Sequence, residues 1–328
     1  MKNILNGIEL FLKSLLSDDK SLIKAIKSLG ISKPITLIDV GSAKGIQPRW
    51  EPIQSLIYVY GFEPDDGARK KLSNTAGFEA GGNMNYPYAL SDTNDSLSLN
   101  ILKKPSHSSV FKPNYDAISL FTGRVTSGFD FDYEATVPAR SLDSLELEAG
   151  DFIKIDVQGY ELKVLEGSKN TLKNCIGVET EVEFIELYKD QPKFGEISSF
   201  MEEQDLAFID FTTLTRWERD SMTSLLGSCF GGDALFMRLP EYMLENFVND
   251  QRMIDVYLSL CLLYRRFDFI NVIIEKLDLT NDARYKDFIH CAKKSRGKLR
   301  SANRLSRISE RLIALLLGHK AGVNTIYY

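Results

Sequence analysis

Thr36-Leu37-Ile38-Asp39-Val40-Gly41-Ser42-Ala43-Lys44-Gly45 is the stretch from which the fold is read. Thr36 to Val40 is an unbroken β-rich run between Pro34 and Gly41. Its length and composition predict a strand buried on both faces, as in a parallel sheet. The run ends in an acidic residue and a glycine, and a second glycine follows four positions later. Glycine accepts the turn and lets a ligand approach the backbone closely. In a doubly wound sheet such a turn lies at the carboxyl edge, beside the switch point where ligands bind. The pattern is GxxxG rather than GxGxxG, and no Walker lysine–serine pair follows. By itself it fits a plain tight turn as well as a ligand loop.

The pattern alternates outward from this strand. Upstream, Ile4, Ile8, Phe11, Leu12 and Leu15 sit at helical spacing, and Leu22, Ile23 and Ile26 predict a second helix that Gly30 closes. Downstream, strands are predicted at Tyr58–Phe62, Asn85–Leu90, Phe152–Val157, Ile176–Ile185, Phe208–Phe211 and Ala234–Met237. Helices are predicted at Ala68–Leu72, Tyr160–Leu172 and Gly195–Gln204. Leu97–Leu102 alternates and reads as an added β-ribbon. Residues 103–130 lack periodicity and read as a long loop, which in a compact domain is usually functional or mobile. Alternating strands and helices define an α/β fold with a doubly wound, mostly parallel sheet. After Pro240 the β signals fade, and Met253–Leu263, Ile270–Leu277 and Leu305–Leu317 look helical. The reading gives N-terminal helices over 1–33, an α/β domain over 34–240 and a helical C-terminal region over 241–328.

Composition bounds the function. The chain has 328 residues, 44% hydrophobic and 26% charged, ordinary for a folded soluble protein and not for a disordered, collagenous or disulfide-built one. No apolar run approaches the roughly 18 residues of a membrane span. The net charge of −5 conceals an asymmetry: residues 241–328 carry 15 Lys and Arg against 10 Asp and Glu, leaving −10 for residues 1–240. An acidic body speaks against a general nucleic-acid binder, which needs a basic surface. The basic tail is suited to an anion, a membrane surface or a partner. Cys175, Cys229, Cys261 and Cys291 are far apart and give no zinc spacing. They read as reduced residues, mostly buried, of a cytoplasmic protein. Glu9 and Lys13 interrupt the first apolar stretch, so it does not read as a secretory signal.

Two further sites follow the first. Gly61-Phe62-Glu63-Pro64 lies at the end of the next strand, where an acidic residue can accept both hydroxyls of a ribose; a helix-capping glutamate is the plainer alternative. Asp39 in the first turn suits a cationic ligand better than a phosphate. The third site is Asp151-Phe152-Ile153-Lys154-Ile155-Asp156-Val157-Gln158-Gly159-Tyr160-Glu161. Asp156 ends a strand at the ligand edge. Glu161 starts a helix near its positive end, which explains it without catalysis.

In this order the three sites resemble the FkbM family of S-adenosylmethionine-dependent methyltransferases. The match runs from Ile38-Asp39-Val40-Gly41 with Gly45, through Phe62-Glu63-Pro64 and Ala89-Leu90-Ser91-Asp92, to Lys154-Ile155-Asp156-Val157 with Gly159, Glu161, Leu165 and Gly167. It ends with Glu179, Glu181, Phe184, Leu187, Tyr188 and Asp233-Ala234-Leu235-Phe236. The family pattern has Asn where Ala43 stands and Glu where Gln158 stands. The resemblance covers about residues 35–240 and implies a class I methyltransferase fold with S-adenosylmethionine as cofactor. It implies that Glu63 and the adjoining Pro64 meet the ribose, that Asp39, Gly41, Ser42 and Gly45 meet the methionine part, and that Ala89 and Leu90 flank the adenine, with Asp156 at the same edge. It also implies methylation of a hydroxyl on a saccharide or related metabolite.

In-line transfer to a hydroxyl asks mainly for positioning, helped by a base or a metal. Asp156 is the first choice for base, substrate orienter or metal ligand. Glu181 is its neighbour, and His107, in the long loop, has the ordinary pKa of a base although a lone loop histidine is commonly just exposed. No metal-ligand set is assigned; the Asp156–Glu181 pair is a candidate Mg²⁺ site, with two surface-facing carboxylates as the alternative. The aromatics Tyr86, Tyr88, Phe111, Tyr115, Phe121, Phe129, Phe131 and Tyr133 suit sugar stacking or, more plainly, packing. Lys293, Lys294, Arg296, Lys298, Arg300, Arg304, Arg307 and Arg311 form a basic amphipathic segment suited to a peripheral membrane or partner contact, or to packing on the acidic domain. The rival readings are a non-catalytic binding or scaffold protein on the same fold and a nicotinamide oxidoreductase, which lacks its GxGxxG loop here.

Overall fold

The computed structural model describes residues 19–73, 82–121, 126, 128–148, 150–219 and 227–316. The helix expected from Ile4 to Leu15 lies outside them. In chain order the elements are α1 (Asp19–Ser28), β1 (Ile35–Val40), β2 (Ile57–Phe62), α2 (Asp66–Ser73), β3 (Asn83–Tyr86), β4 (Ala89–Leu90), β5 (Ser96–Leu102), α3 (Tyr115–Ile118), β6 (Phe131–Arg140) and β7 (Phe152–Ile155). They continue as α4 (Glu161–Glu166), α5 (Lys169–Leu172), β8 (Gly177–Glu183), α6 (Phe194–Glu203), β9 (Ala207–Trp217), β10 (Ser228–Met237), α7 (Pro240–Asn246), α8 (Gln251–Leu263), α9 (Phe267–Lys276) and α10 (Lys286–Leu316).

Seven strands form one sheet in the order β3-β2-β1-β7-β8-β10-β9. β3, β2, β1, β7 and β8 run parallel, and β10 runs antiparallel to both neighbours. The strand order reverses between β1 and β7, so their carboxyl ends form the switch point of a doubly wound fold. All six residues of β1 and all four of β7 are buried, as the β-rich run Thr36–Val40 predicts for an inner parallel strand.

One face of this sheet is apolar. Ile38, Val40, Ile153, Ile155, Val178, Val182 and Phe236 pack against Val164, Leu165, Leu172, Ile197, Phe200 and Met201 of α4, α5 and α6. Successive strand residues face opposite ways, so the matched residues Asp39, Lys154 and Glu179 share the other face. Arg238, buried at the end of β10, donates to the carbonyls of Leu172 (2.7 Å) and Cys175 (3.2 Å) and to that of Gln204. It thereby caps the ends of α5 and α6, whose last carbonyls have no partner within the helix.

Four segments differ from the sequence reading. The strand expected at Asn85–Leu90 is two: β3 extends the large sheet, while β4 belongs to a three-stranded sheet ordered β4-β6-β5. Pro87 lies between them and has no N–H for the ladder. β6, which begins just after the stretch expected as loop and for which the sequence predicts no element, pairs antiparallel with β5; its first eight residues are exposed or half-buried, so no apolar alternation marks it. β9 and β10 extend well past the runs that predicted them; the added residues are exposed or half-buried in β9, and in β10 all but the buried Gly231 and Gly232 are. The helix expected over Tyr160–Leu172 is α4 and α5, broken at Gly167, where a Cβ would stand 1.9 Å from the Ser91 carbonyl oxygen.

The expected loop 103–130 contains α3 and is docked. Asn114 N–H donates to the Leu187 carbonyl (2.8 Å) and Lys189 N–H to that of Lys112 (2.9 Å). Phe129, Ile118 and Leu102 pack with Leu187 and Tyr188 in a second apolar cluster. Of the aromatic set, Phe121 and Phe129 are buried, while Tyr115, Phe131 and Tyr133 are about half exposed.

The described chain divides into two compact units, one of residues 34–47 and 54–242, the other of 19–33, 48–53 and 243–316. In the second unit α8 is buried from Met253 to Leu263, and its Asp255 accepts from the Tyr285 hydroxyl (2.8 Å) and pairs with Arg284 (3.3 Å). The four cysteines are free thiols, with Cys175, Cys261 and Cys291 buried. Among the described residues, no helix is long and apolar enough to cross a membrane.

Gly167→Ala is expected to lower stability by about 1–3 kcal/mol or more, since the new methyl meets backbone rather than a movable side chain; chemical denaturation measures it.

Candidate active site

The turn after β1 is held by contacts that only glycine permits. Gly41 has φ +78°, and a Cβ there would stand 2.0 Å from the Asp156 carbonyl oxygen. Its N–H donates to the Phe62 carbonyl (3.0 Å), and Asp156 N–H donates to the Val40 carbonyl (3.0 Å). The ends of β1, β2 and β7 are thus stitched together. Ser42 to Lys44 make one 3₁₀ turn closed by Gly45, also at φ +78°.

Gly61 supplies a cradle beside that turn. A Cβ on it would lie 2.4 Å from Asn85 Oδ1 and 3.1 Å from Ser42 Oγ. Both oxygens are buried, and neither has a hydrogen-bond partner among the described residues. Buried polar atoms are normally bonded, and these two are exceptions. Glu63, buried at the end of β2, accepts from Asp65 N–H (2.9 Å) and from the backbone of Ala43. Burial raises its pKa above the carboxylate norm, while those hydrogen bonds and Arg69 oppose the rise. Arg69 Nη1 fixes the Glu63 and Pro64 carbonyls (2.8 and 3.0 Å). Ala89 and the buried Leu90 form β4, and the Ser91 hydroxyl lies 3.1 Å from that of Tyr160.

At the switch point an ammonium group sits inside the sheet. Lys154 is 7% exposed, with Nζ 3.8 Å from Asp39 Oδ1 and 3.4 Å from Asp156 Oδ2. Burial pulls its pKa down, but Asp156, Asp39, Asp233 and Glu181 together outweigh that and raise it. Asp39 is 2% exposed, and burial pushes it up to about 6 against the pull of Lys154. The sequence reading left Asp39 open to a cationic ligand; the register of β1 on β7 gives it a resident cation.

Asp156 and Glu181 are brought together, with Gln158 between them. Gln158 takes the left-handed conformation, φ +59°. Its Nε2 donates to Asp156 Oδ1 (3.0 Å) and to Glu181 Oε2, and its Oε1 lies 3.2 Å from the Tyr188 hydroxyl. Its carbonyl accepts from Ser109 Oγ (2.6 Å), tying the 103–130 segment to the site. Burial first, then Asp156 and Glu183, raise Glu181 well above the carboxylate norm. The pair does not suit Mg²⁺, because an amide N–H donor occupies the place between the carboxylates that a cation would need. Among the described residues no group of three or more His, Cys, Asp or Glu could hold a metal ion.

His107 reaches this network through its backbone. Its carbonyl accepts from the Tyr188 hydroxyl (2.8 Å), its ring lies 4.4 Å from that of Phe129, and its Nε2 lies 2.8 Å from Lys104 Nζ. Glu161 does more than start α4. Its Oε1 accepts from Val157 N–H (3.0 Å) and Gly159 N–H (3.2 Å), shaping the turn that carries Gln158. It is 1% exposed, and burial, reinforced by Asp156, pushes it up to about 7.

Asp39, Gly41, Ser42, Gly45, Glu63 and Asp156 therefore gather at one sheet edge, with Glu181 joined through Gln158. The residues not singled out in the sequence are Lys154, Asn85, Gln158 and Tyr188 in these roles. Lys154 left a signal: a charge inside a four-residue buried strand requires carboxylates beside it. Gln158 left only its difference from the family pattern.

The order of strands, the antiparallel β10 and the cluster of strand-end residues define a class I methyltransferase fold. Residues 39–208 match the model of the methyltransferase FkbM domain, and the chain belongs to that family of S-adenosylmethionine-dependent methyltransferases. No curated protein matches the sequence. Among solved structures, an FkbM methyltransferase from Methylobacillus flagellatus KT shares 12% identity, over 62% of this chain and 43% of that one, with a TM-score of 0.36. This chain therefore spans less than half of that protein's length. Precorrin-6y C5,15-methyltransferase from Geobacter metallireducens GS-15 shares 8% identity, over 69% and 92%, with a TM-score of 0.32. TYW2 of M. jannaschii in complex with AdoMet shares 12%, over 67% and 77%, with a TM-score of 0.29.

The folded protein holds a proton on Glu161 up to about pH 7, against 4.5 for a free side chain. The native state therefore binds more protons than the unfolded one in that window, and stability falls as pH rises through it. Glu161→Gln keeps an oxygen for the two N–H groups and is expected to flatten that fall, a difference of up to ~3 kcal/mol, read as Tm against pH from 5 to 8.

Proposed function

We propose that the protein methylates a hydroxyl of a saccharide or related metabolite, with S-adenosylmethionine as donor. The carrying observation is the cradle at the switch point, where buried Ser42 Oγ and Asn85 Oδ1 stand without partners beside Gly61, and Glu63 ends the next strand. This donor set fits the cofactor: an acidic residue at the end of β2 for the ribose hydroxyls, and a glycine-lined turn for the methionine portion. In this reading Asp39, Gly41, Ser42 and Gly45 hold the methionine portion, Glu63 and Pro64 the ribose, and Ala89 and Leu90 the adenine. The cofactor supplies a methyl group on a sulfonium centre, open to in-line attack by an oxygen.

The chain's own task is to orient the acceptor and move one proton. Of the two bridged carboxylates, Glu181 keeps a proton more readily, because it is pushed well above the carboxylate norm. Asp156, with Lys154 Nζ at 3.4 Å, is left as the group that takes the acceptor's proton. Gln158 can only donate from Nε2, so it fixes which carboxylate oxygens face each other. His107 joins the network through its backbone carbonyl, which accepts from Tyr188, and its ring lies beside Lys104 and Phe129. The acidic body, −10 over residues 1–240, favours a saccharide or small-molecule acceptor over a duplex.

Calorimetric titration of S-adenosylmethionine and its demethylated product tests the cofactor site. Micromolar binding is expected for the wild type, with a loss of about 10–100-fold in Glu63→Ala, which removes charge-assisted hydrogen bonds. Absence of binding by the folded protein would favour a scaffold role. A methyl-transfer screen over saccharides, small hydroxylated metabolites and RNA then identifies the acceptor class. With the acceptor found, Asp156→Asn is expected to keep cofactor affinity and to lower turnover by about 10²–10⁴.

A further inference from the structure

The methyl-transfer reading leaves α10 unused. Along this helix Lys293, Arg296, Arg300, Arg304, Arg307 and Arg311 follow one another at intervals of three or four residues. The average interval is about 3.6, the period of the α-helix itself. Six cationic residues are therefore placed on one narrow face, in a line roughly 27 Å long at 1.5 Å per residue. In the first part of the line Lys293 and Arg300 are exposed and Arg296 is half-buried. Between Lys293 and Arg311 the sole acidic residue is Glu310.

The same periodicity places Leu305, Ile308, Leu312 and Leu315 on the face adjoining the arginines, over the last three turns of the helix. A cationic line bordered by an apolar stripe is the pattern of a helix that lies in the plane of a bilayer surface. The apolar stripe enters the headgroup boundary, and the long side chains at its border reach back to the phosphates. Five of the six cations are arginine, whose planar fork binds phosphate through two hydrogen bonds. A nucleic-acid duplex would meet the arginines but leave the apolar stripe in water. Among the described residues no helix is suited to span a membrane, so the contact is peripheral.

We infer that α10 docks this protein on an anionic phospholipid surface through the Lys293–Arg311 line and the apolar stripe beside it. Charge complementarity identifies the occupant: a row of cations with one acid among them against phosphate headgroups.

The test is flotation of the full-length protein with vesicles of phosphatidylcholine alone and of phosphatidylcholine mixed with phosphatidylglycerol. Binding to the anionic vesicles is expected to be about tenfold tighter or more, falling as salt is raised. A variant carrying Arg300→Gln, Arg304→Gln, Arg307→Gln and Arg311→Gln is expected to lose that preference. A second variant separates geometry from charge: Arg304→Ser with Ser306→Arg, and Arg307→Ser with Ser309→Arg, keeps composition and net charge but breaks the line. It is expected to bind several-fold more weakly, with helix content checked by circular dichroism. Equal binding to neutral and anionic vesicles, wild-type binding by the rearranged variant, or tighter binding to an RNA duplex at the same salt would each overturn the inference. If the glutamine variant fails to fold, the wild-type comparison of the two vesicles still decides.

Discussion

A lysine ammonium buried between carboxylates holds the centre of this molecule in place. Lys154 lies opposite Asp39 on one side and Glu179 on the other, and it reaches Asp156 at the end of its own strand. Taking any of these charges out of water is costly, and the cost is met only by their mutual attraction. Loss of the lysine would leave Asp39 and Asp156 without their central counter-ion. The turn after β1 and the turn after β7, which approach so closely that Gly41 admits no Cβ, could not then keep their present chemistry.

Around this ammonium the carboxylates outnumber the cations, and amide groups make up the balance. Glu161 is held by two backbone N–H groups, Glu183 by Gln191 Nε2 at 2.9 Å, and Asp156 and Glu181 by Gln158 Nε2. Tyr188 sets one of the glutamines. Its backbone N–H donates to Gln191 Oε1 (2.6 Å), so that amide turns its nitrogen toward Glu183, while the Tyr188 hydroxyl donates to the His107 carbonyl (2.8 Å) with Gln158 Oε1 3.2 Å away. Tyr188 is 1% exposed, packed against Phe129 and Leu187. Apolar packing under the 103–130 segment thus holds the residue that turns Gln191 toward Glu183. A glutamate at 158 would have no N–H to offer, and the cluster would hold one more negative charge.

Much of the fold was legible because its signals are local. A β-rich run such as Thr36–Val40 has one home, an inner parallel strand, and strands alternating with helices have few ways to pack. The glycine turns and the strand-end acids were legible for the same reason: Gly41 and Glu63 act where their own strands end. What escaped lacked a local mark. β6 is paired through its backbone and leaves most of its side chains in solvent, so alternation does not reveal it. Gly167 looked like an interior helix residue, because its reason for being glycine lies in Ser91, far away in the chain.

The sequence by itself determined the class of sheet, the carboxyl edge where its strands end and the acidic residues found there, since periodicity and strand-end chemistry are properties of neighbours along the chain. It also determined the basic line of α10, because a helix has one fixed period. Only the tertiary structure decided that Asp39 is paired with Lys154, that Asp156 and Glu181 share an amide donor, and that Ser42 and Asn85 meet over Gly61. Those outcomes depend on strand register and on turns packed across the sheet, which bring together residues that the chain keeps tens of positions apart.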